Sequence, residues 1–390
     1  MEKHCLILAT TSDFLWKFEL GNVKILQQMG YTVHYAANMN EPHYLPGQEK
    51  LLSMGVHPHH IDIARSPFML QYNQAAFHQI IRLIRAHGIR LLHCHTPVGG
   101  LLGRLAGSVC RGVTVIYTAH GFHFYKGAPR FNRLAYYPVE RLLARLTDFL
   151  IVINQEDYET ARRFPLRKSG RVCKIPGVGL DLKKFHPLPE QQRSLLRGRL
   201  GVAAEDCFLI SAGELNQNKN HRIVLEALAK IKRARHTLAG IRYAICGDGF
   251  FRDRLQQWIC DLELSQAVTL YGYRTDLPEL LGCADAAVFP SIREGLGMAG
   301  LEALATGIPV IASDNRGTRE YMRHGQNGFV YNPFDADGFA AGIEAVEALN
   351  AAEKKARAGR CRASAEPFDQ KNTMQLMREI YADASRRAWR

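Results

Sequence analysis

Residues 289–312, FPSIREGLGMAGLEALATGIPVIA, decide how this chain is read. They run from the end of a buried strand, through a Gly-rich loop that opens a helix, into a second strand. Ala299, Leu301, Ala303, Leu304 and Ala305 favour helix, and Gly307 with Pro309 stops it. Gly295 and Gly297 let backbone come close to a ligand, and the unpaired N–H groups of a helix start carry partial positive charge. Gly295, Gly297, Met298 and Ala299 are therefore a candidate phosphate cradle. Two acids flank it unequally: Glu294 lies in the loop, and Glu302 about two turns inside the helix. Because anions repel, Glu302 belongs beside a hydroxyl-bearing part of a long ligand rather than beside its phosphate. Two acids alone are more often solvated surface groups. Here Pro290-Ser291, Gly-Leu-Gly and Gly-Ile-Pro-Val around them turn the reading toward a ligand site.

Working outward, 390 residues suit two α/β domains of moderate size. Strand patterns at residues 4–10, 32–37, 91–95, 113–119, 149–154 and 172–175 alternate with helical ones, as a parallel sheet requires. The pattern restarts at 207–212, after the Pro/Gly-rich stretch 176–188, which places a domain boundary near residue 188. The expected division is 1–188, 189–366 and a last helix at 367–390. The net charge of +13 is uneven: residues 1–188 carry 23 Lys+Arg against 12 Asp+Glu, residues 189–366 carry 22 of each, and residues 367–390 carry 5 against 3. A basic first part attracts anions, but its arginines are dispersed without an aromatic platform, which argues against nucleic acid. Nine cysteines without CxxC or Cys/His ligand spacing read as reduced, mostly buried thiols, and no structural metal is expected. No apolar run is long enough to span a bilayer, and MEKHCLILAT reads as a strand rather than a signal peptide. The expected location is cytoplasmic, peripheral on the inner face of the cell membrane. Phe14-Leu15-Trp16-Lys17-Phe18 reads chiefly as a helical core face, with contact to a lipid tail as its alternative; the His- and Pro-rich segment 39–67 is assigned no chemistry.

The opening block resembles the Glu, seven residues, Glu signature of the family-four retaining glycosyltransferases, built from two facing Rossmann-like domains with a cleft between them (GT-B). The resemblance implies that Glu294 contacts the donor hexose and Glu302 the nucleotide ribose. Gly213-Glu214-Leu215-Asn216-Gln217-Asn218-Lys219-Asn220 is similar to a run in exopolysaccharide- and capsule-type transferases, and implies a diphosphate contact for Lys219, with Gly213 and Asn216 beside it. The family commonly has an Arg where this chain has Glu214, a change that places an anion near the diphosphate. Arg274, in Gly272-Tyr273-Arg274, falls on the base side. In the first domain, His120 in His120-Gly121-Phe122 implies sugar positioning, and His95 in His93-Cys94-His95 faces the acceptor. With no third ligand expected nearby, His93 and His95 do not read as a metal site. Thr11 and Ser12 replace the family's first-loop Gly-Gly pair and are the remaining acceptor-side candidates.

The expected activity is transfer of a hexose or N-acetylhexosamine from a UDP-sugar to an acceptor hydroxyl with retained anomeric configuration. Lys219, Glu294 and His120 are its catalytic candidates, with neither cofactor nor metal. A polyprenyl-diphosphate-linked saccharide of surface polysaccharide synthesis is the expected acceptor, and an anionic membrane surface the expected partner. A glycosidase is disfavoured because a helix separates the two acids. A UDP-sugar epimerase of the same fold and a non-catalytic sugar-nucleotide-binding partner, disabled by Glu214, are the alternatives.

Overall fold

The computed structural model describes residues 2–40 and 47–389. Its chain divides into two compact units, residues 1–179 with 370–390, and residues 180–369. The part of the 39–67 segment at residues 41–46 lies outside the described residues.

The first unit is built on seven strands, β1 (Lys3–Thr11), β2 (Tyr31–Asn38), β3 (Val56–His60), β4 (Leu91–His95), β5 (Thr114–Ala119), β6 (Phe149–Val152) and β7 (Arg171–Lys174). They pair in the order β3-β2-β1-β4-β5-β6-β7, each neighbour parallel. Runs such as CLILA and LLHCH are buried on both faces because helices cover both sides of a parallel sheet. One face packs Leu6, Leu8, Leu92 and Val115 against Ala76, Ile80 and Ile84 of helix Leu70–Ala86 and Leu102 and Ala106 of helix Pro97–Val109. The last helix, Gln370–Ala388, belongs to this unit, and Ser385 Oγ accepts a hydrogen bond from Tyr31 at 2.8 Å.

The second unit has six parallel strands, β8 (Cys207–Ala212), β9 (Ile241–Cys246), β10 (Val268–Gly272), β11 (Ala286–Phe289), β12 (Val310–Ser313) and β13 (Gly328–Tyr331), in the order β10-β9-β8-β11-β12-β13. Residues 180–188 pack here: Leu188 lies against Gly282, so close that a Cβ on that glycine would sit 2.5 Å from Leu188 Cγ. Both sheets reverse their strand order once, between β1 and β4 in the first unit and between β8 and β11 in the second. Beyond the carboxyl ends of the strands at such a reversal, the loops diverge and leave a crevice where ligands bind. Among the described residues, no helix is long and apolar enough to cross a membrane.

Candidate active site

In the second unit the loops after β8 and β11 meet at the strand-order reversal. Three asparagines of the 213–220 run build this junction. Asn216 Oδ1 accepts the Lys219 N–H at 3.1 Å and caps the short turn Gln217–Lys219. Asn218 joins the two loops: its Nδ2 donates to the Arg293 carbonyl at 3.0 Å, its Oδ1 accepts from Arg293 N at 3.2 Å, and its carbonyl accepts from Ile292 N at 2.8 Å. Asn220, in the left-handed region at φ 51°, donates to the Pro333 carbonyl at 2.7 Å and the Pro290 carbonyl at 3.3 Å. Asn216 thus has its side-chain carbonyl committed to a backbone cap.

Across that scaffold Lys219 Nζ donates to Glu294 Oε1 at 2.7 Å and lies 5.3 Å from the Phe289 ring centroid. A side chain at Gly213 would bring its Cβ to 3.1 Å from Lys219 Cε, so glycine there leaves room for the lysine. Gly297, at φ 89°, immediately precedes helix Met298–Ala305, and a Cβ on it would reach 2.7 Å from the Phe289 ring. Tyr321 donates its hydroxyl to the Gly297 carbonyl at 3.0 Å, and the buried Arg316 donates Nε to the Glu294 carbonyl at 3.2 Å. Both fix the loop; Tyr321 was not legible from the sequence, since a lone Tyr beyond β12 carries no spacing signal. Burial raises the Glu302 carboxyl to about 7, against the lowering pull of Lys184 and Lys219. Gly295, Met298 and Ala299 are all half-buried at this helix start. Glu214 is exposed while its neighbour Leu215 is fully buried, which leaves the carboxylate hydrated. Arg274 is held by both carboxylate oxygens of Asp276.

The first unit presents a second constellation at its own strand-order reversal. Thr10, at the end of β1, hydrogen-bonds Thr96 just past β4, and Thr96 has the strained φ of 61°. Thr11 accepts the Tyr35 hydroxyl through its carbonyl at 2.6 Å, and Thr11 and Ser12 are both half-buried. The aromatic stretch forms a wide π-type turn, Leu15–Glu19, before helix Leu20–Gln28. Phe14 and Leu15 enter the core while Phe18 stays at the surface, and Phe14 rings lie 5.2 Å from both His95 and His120. His95 is completely enclosed; its Nδ1 is 3.2 Å from His120 Nε2, and its Nε2 is 3.4 Å from Glu19 Oε2. His95 therefore reaches the surface through His120 rather than by its own ring. Burial, with His93 and His120 alongside, lowers the His95 imidazole; burial lowers His120 to about 4 and raises the Glu19 carboxyl to about 8. All three are neutral near pH 7; His95 hydrogen-bonds His120, while its buried Nε2 faces Glu19 without a hydrogen-bond partner. A small pocket beside it is lined by Phe18, Glu19, Thr118, His120, Gly177 and Met374. Glu19 also brings a third ligand-type atom to His93 and His95, contrary to the expectation that none lies nearby. Both His93 nitrogens are nonetheless engaged, Nδ1 with the Tyr381 hydroxyl at 2.7 Å and Nε2 with Thr118 Oγ1 at 2.8 Å.

A further surface escaped sequence reasoning. Helix Arg130–Ala144 exposes Phe131 by 70% and Leu134 by 76%, with Val139 and Leu142 also exposed, among exposed Arg130, Arg133, Arg141 and Arg145. Leu143, Ala144 and the half-buried Tyr136 and Tyr137 hold its other side to the core. The interruption at Pro138 and the even scatter of apolar residues hid this two-sidedness.

Two parallel α/β units, each with polar side chains gathered beyond the strand ends at its order reversal, are the architecture of the GT-B glycosyltransferases. The chain belongs to that superfamily's group-1 and 4-like branch: "Glycosyl transferase 4-like" matches residues 3–154 and "Glycosyl transferases group 1" residues 192–361. It is 40% identical, over 98% of its length and 97% of the relative's, to EpsD of Bacillus subtilis, whose name assigns it provisionally to the glycosyltransferases. It is 29% identical, over 71% of its length and 72% of the relative's, to an Escherichia coli UDP-Gal:alpha-D-GlcNAc-diphosphoundecaprenol alpha-1,3-galactosyltransferase. Among solved structures, Anabaena HepE in complex with UDP matches 98% of this chain and 100% of its own at a TM-score of 0.77 and 20% identity. At that identity the likeness shows the fold.

Proposed function

We propose that this glycosyltransferase moves a hexosyl or N-acetylhexosaminyl group from a UDP-sugar to a hydroxyl of a polyprenyl-diphosphate-linked saccharide, with retention at the anomeric carbon. The observation that carries it is the 2.7 Å Lys219–Glu294 pair beside the amides that open helix Met298–Ala305. Without donor the two charges satisfy each other. A nucleoside diphosphate takes the lysine and the helix-start amides, which frees the Glu294 carboxylate to accept hydrogen bonds from the sugar hydroxyls. Glu302 faces the ribose; with its carboxyl near neutrality, it both donates to and accepts from a diol.

In the step itself the bond from the anomeric carbon to the leaving diphosphate oxygen breaks. The acceptor oxygen forms its bond on the same face, and its proton passes to a leaving phosphate oxygen. Lys219 and the helix-start amides stabilise the charge that grows on the diphosphate. His120 holds the transferred sugar, oriented in turn by His95 and Glu19. Arg274, Gly213 and Asn216 shape the donor side, and Thr11 and Ser12 the acceptor side. The lipid-linked acceptor is supported by the name of the Escherichia coli relative and by the basic, apolar surface of helix Arg130–Ala144. That surface also supports peripheral attachment to an anionic membrane.

The test is a panel of radiolabelled UDP-sugars incubated with polyprenyl-diphosphate sugars, with the anomeric configuration of the product read by NMR. Label extracted into the lipid phase with an α linkage from an α donor is the expected result. A changed sugar in the absence of acceptor identifies an epimerase, and tight UDP-sugar binding without turnover identifies a non-catalytic partner; either outcome replaces the proposal.

A further inference from the structure

Five imidazoles converge on one face of the first sheet, away from the strand ends that carry His95 and His120. The strand register explains how. His34 of β2 pairs with His57 of β3, and Ala36 with His59, so His34, His57 and His59 project to one side. His4 of β1 pairs with Thr32, which puts it on that side as well. Helix Leu70–Ala86 packs over this face and ends at His87, which closes the group from above. His34 is buried, at the centre: its Nδ1 is 2.9 Å from His59 Nε2, its Nε2 is 3.1 Å from His4 Nδ1, and its ring centroid is 4.4 Å from that of His87.

We propose that His34, His59 and His87 form a binding site for one borderline transition-metal cation of the Zn(II) type. Each offers a nitrogen, and the three atoms lie within 4.8 Å of one another. Around a tetrahedral zinc with bonds of about 2.0–2.1 Å, the ligand nitrogens stand about 3.3 Å apart. Sub-ångström ring movements therefore suffice, and only side chains need move. Imidazole-only sets select zinc, nickel, cobalt or copper over magnesium and calcium, which prefer oxygen. The ligating form is the neutral ring. A metal-bound imidazole is usually oriented by an acceptor on its other nitrogen. Here His4 lies against His34 Nε2, and the Glu2 carboxylate lies 3.7 Å from His4 Nε2. His57, with its ring 5.2 Å from His34, is within reach as a fourth ligand. The other His-rich cluster, Glu19 with His93 and His95, lacks this capacity because hydroxyls occupy both His93 nitrogens. Around His34 the ring nitrogens contact one another, so a cation replaces shared protons without stranding a buried donor. The site ties the end of one helix to two strands and gives the edge of this sheet a metal staple.

The experiment uses the untagged full-length chain, stripped with a chelator and dialysed against Zn(II). One zinc per chain by elemental analysis is expected, with a rise in the unfolding temperature of the first unit. The His59→Gln/His87→Gln double variant should lose that zinc, His4→Gln should bind it on the order of tenfold more weakly, and His93→Gln should bind it normally. As a reading that needs no variant to fold, zinc-edge X-ray absorption on the loaded wild type should show at least three imidazoles. Sub-stoichiometric zinc, fewer than three imidazoles, or zinc retained in the double variant overturns the site.

Discussion

The two units share an architecture and differ in almost everything laid upon it. The first, residues 1–179 with 370–390, carries 26 Lys+Arg and 13 Asp+Glu, a surplus of 13, whereas residues 180–369 carry 24 of each. The second unit spends its charges on one another, inside and at its loops: Arg197 on Asp285, Lys219 on Glu294, Arg274 on Asp276. The first also buries a charge pair, Arg104 on Glu140, and holds neutral imidazoles in its interior. Twelve of the 16 histidines belong to it, and His34, His93 and His95 among them are buried. One unit matches its charges in pairs, and the other carries the whole surplus of positive charge.

If the units are separate cores, damage to one should spare the other, and the buried Arg197 gives the largest expected effect. Its guanidinium donates to Asp285 Oδ2 at 2.9 Å, to the Cys283 carbonyl at 3.2 Å and to the Ala203 carbonyl at 2.8 Å. Removing one partner of such a pair strands the rest, so Arg197→Met should destabilise the second unit by about 3–5 kcal/mol. Hydrogen exchange should show β8 and β11 losing protection while β4 and β5 keep theirs. Equal loss in both sheets would break the comparison.

Next in size is Glu294→Gln, which keeps the shape and removes the charge that pairs with Lys219. Turnover should fall roughly 10²–10³-fold, as for loss of one aligned transition-state contact. UDP affinity should hold or rise, because the lysine is then free of its competitor. A kcat within a few-fold of wild type would remove Glu294 from the reaction.

Glu302→Gln sharpens the contrast by stability. The folded carboxyl sits near 7, above its ordinary value of 4.5, so the folded state binds more protons than the unfolded one between those pH values. Stability from this group is therefore complete below about 4.5 and is lost as pH rises toward 7. The loss is at most roughly 3 kcal/mol. The Gln variant should be more stable than wild type at pH 8, equal to it at pH 4, and weaker in UDP-sugar binding. A pH-independent difference would mean that Glu302 is solvated.

The same contrast explains what the sequence let through. The second unit's site is made by loop backbone, and loop backbone leaves a spelling: Gly297 for its positive φ, Asn216, Asn218 and Asn220 at every second position, Lys219 between them. Within each of the two loops the residues are close in the chain, so each loop reads as a motif of its own. The first unit's polar groups come from separate strands and meet only through register. His34, His59 and His87 span more than fifty positions, and β3 itself hid in a segment assigned no chemistry because Pro58 and three histidines mask its alternation. Glu19 was equally invisible, since one acid in an aromatic stretch gives no hint that it is enclosed beside His95.

The smallest expected effect concerns the first unit's surface. Each Lys or Arg close to an anionic bilayer contributes about 1 kcal/mol, so Arg133→Gln should weaken binding to vesicles containing phosphatidylglycerol about fivefold. The effect should vanish at 1 M salt, where the screening length falls to about 3 Å. Phe131→Ser separates the two contributions on the same helix: an inserted ring is insensitive to salt, so this variant should lose binding at both ionic strengths. If Arg133→Gln and Phe131→Ser both flotate like wild type, the basic surplus serves some other anion. If only the arginine matters, the exposed apolar face of helix Arg130–Ala144 stays out of the bilayer and attraction to headgroups alone holds the chain there.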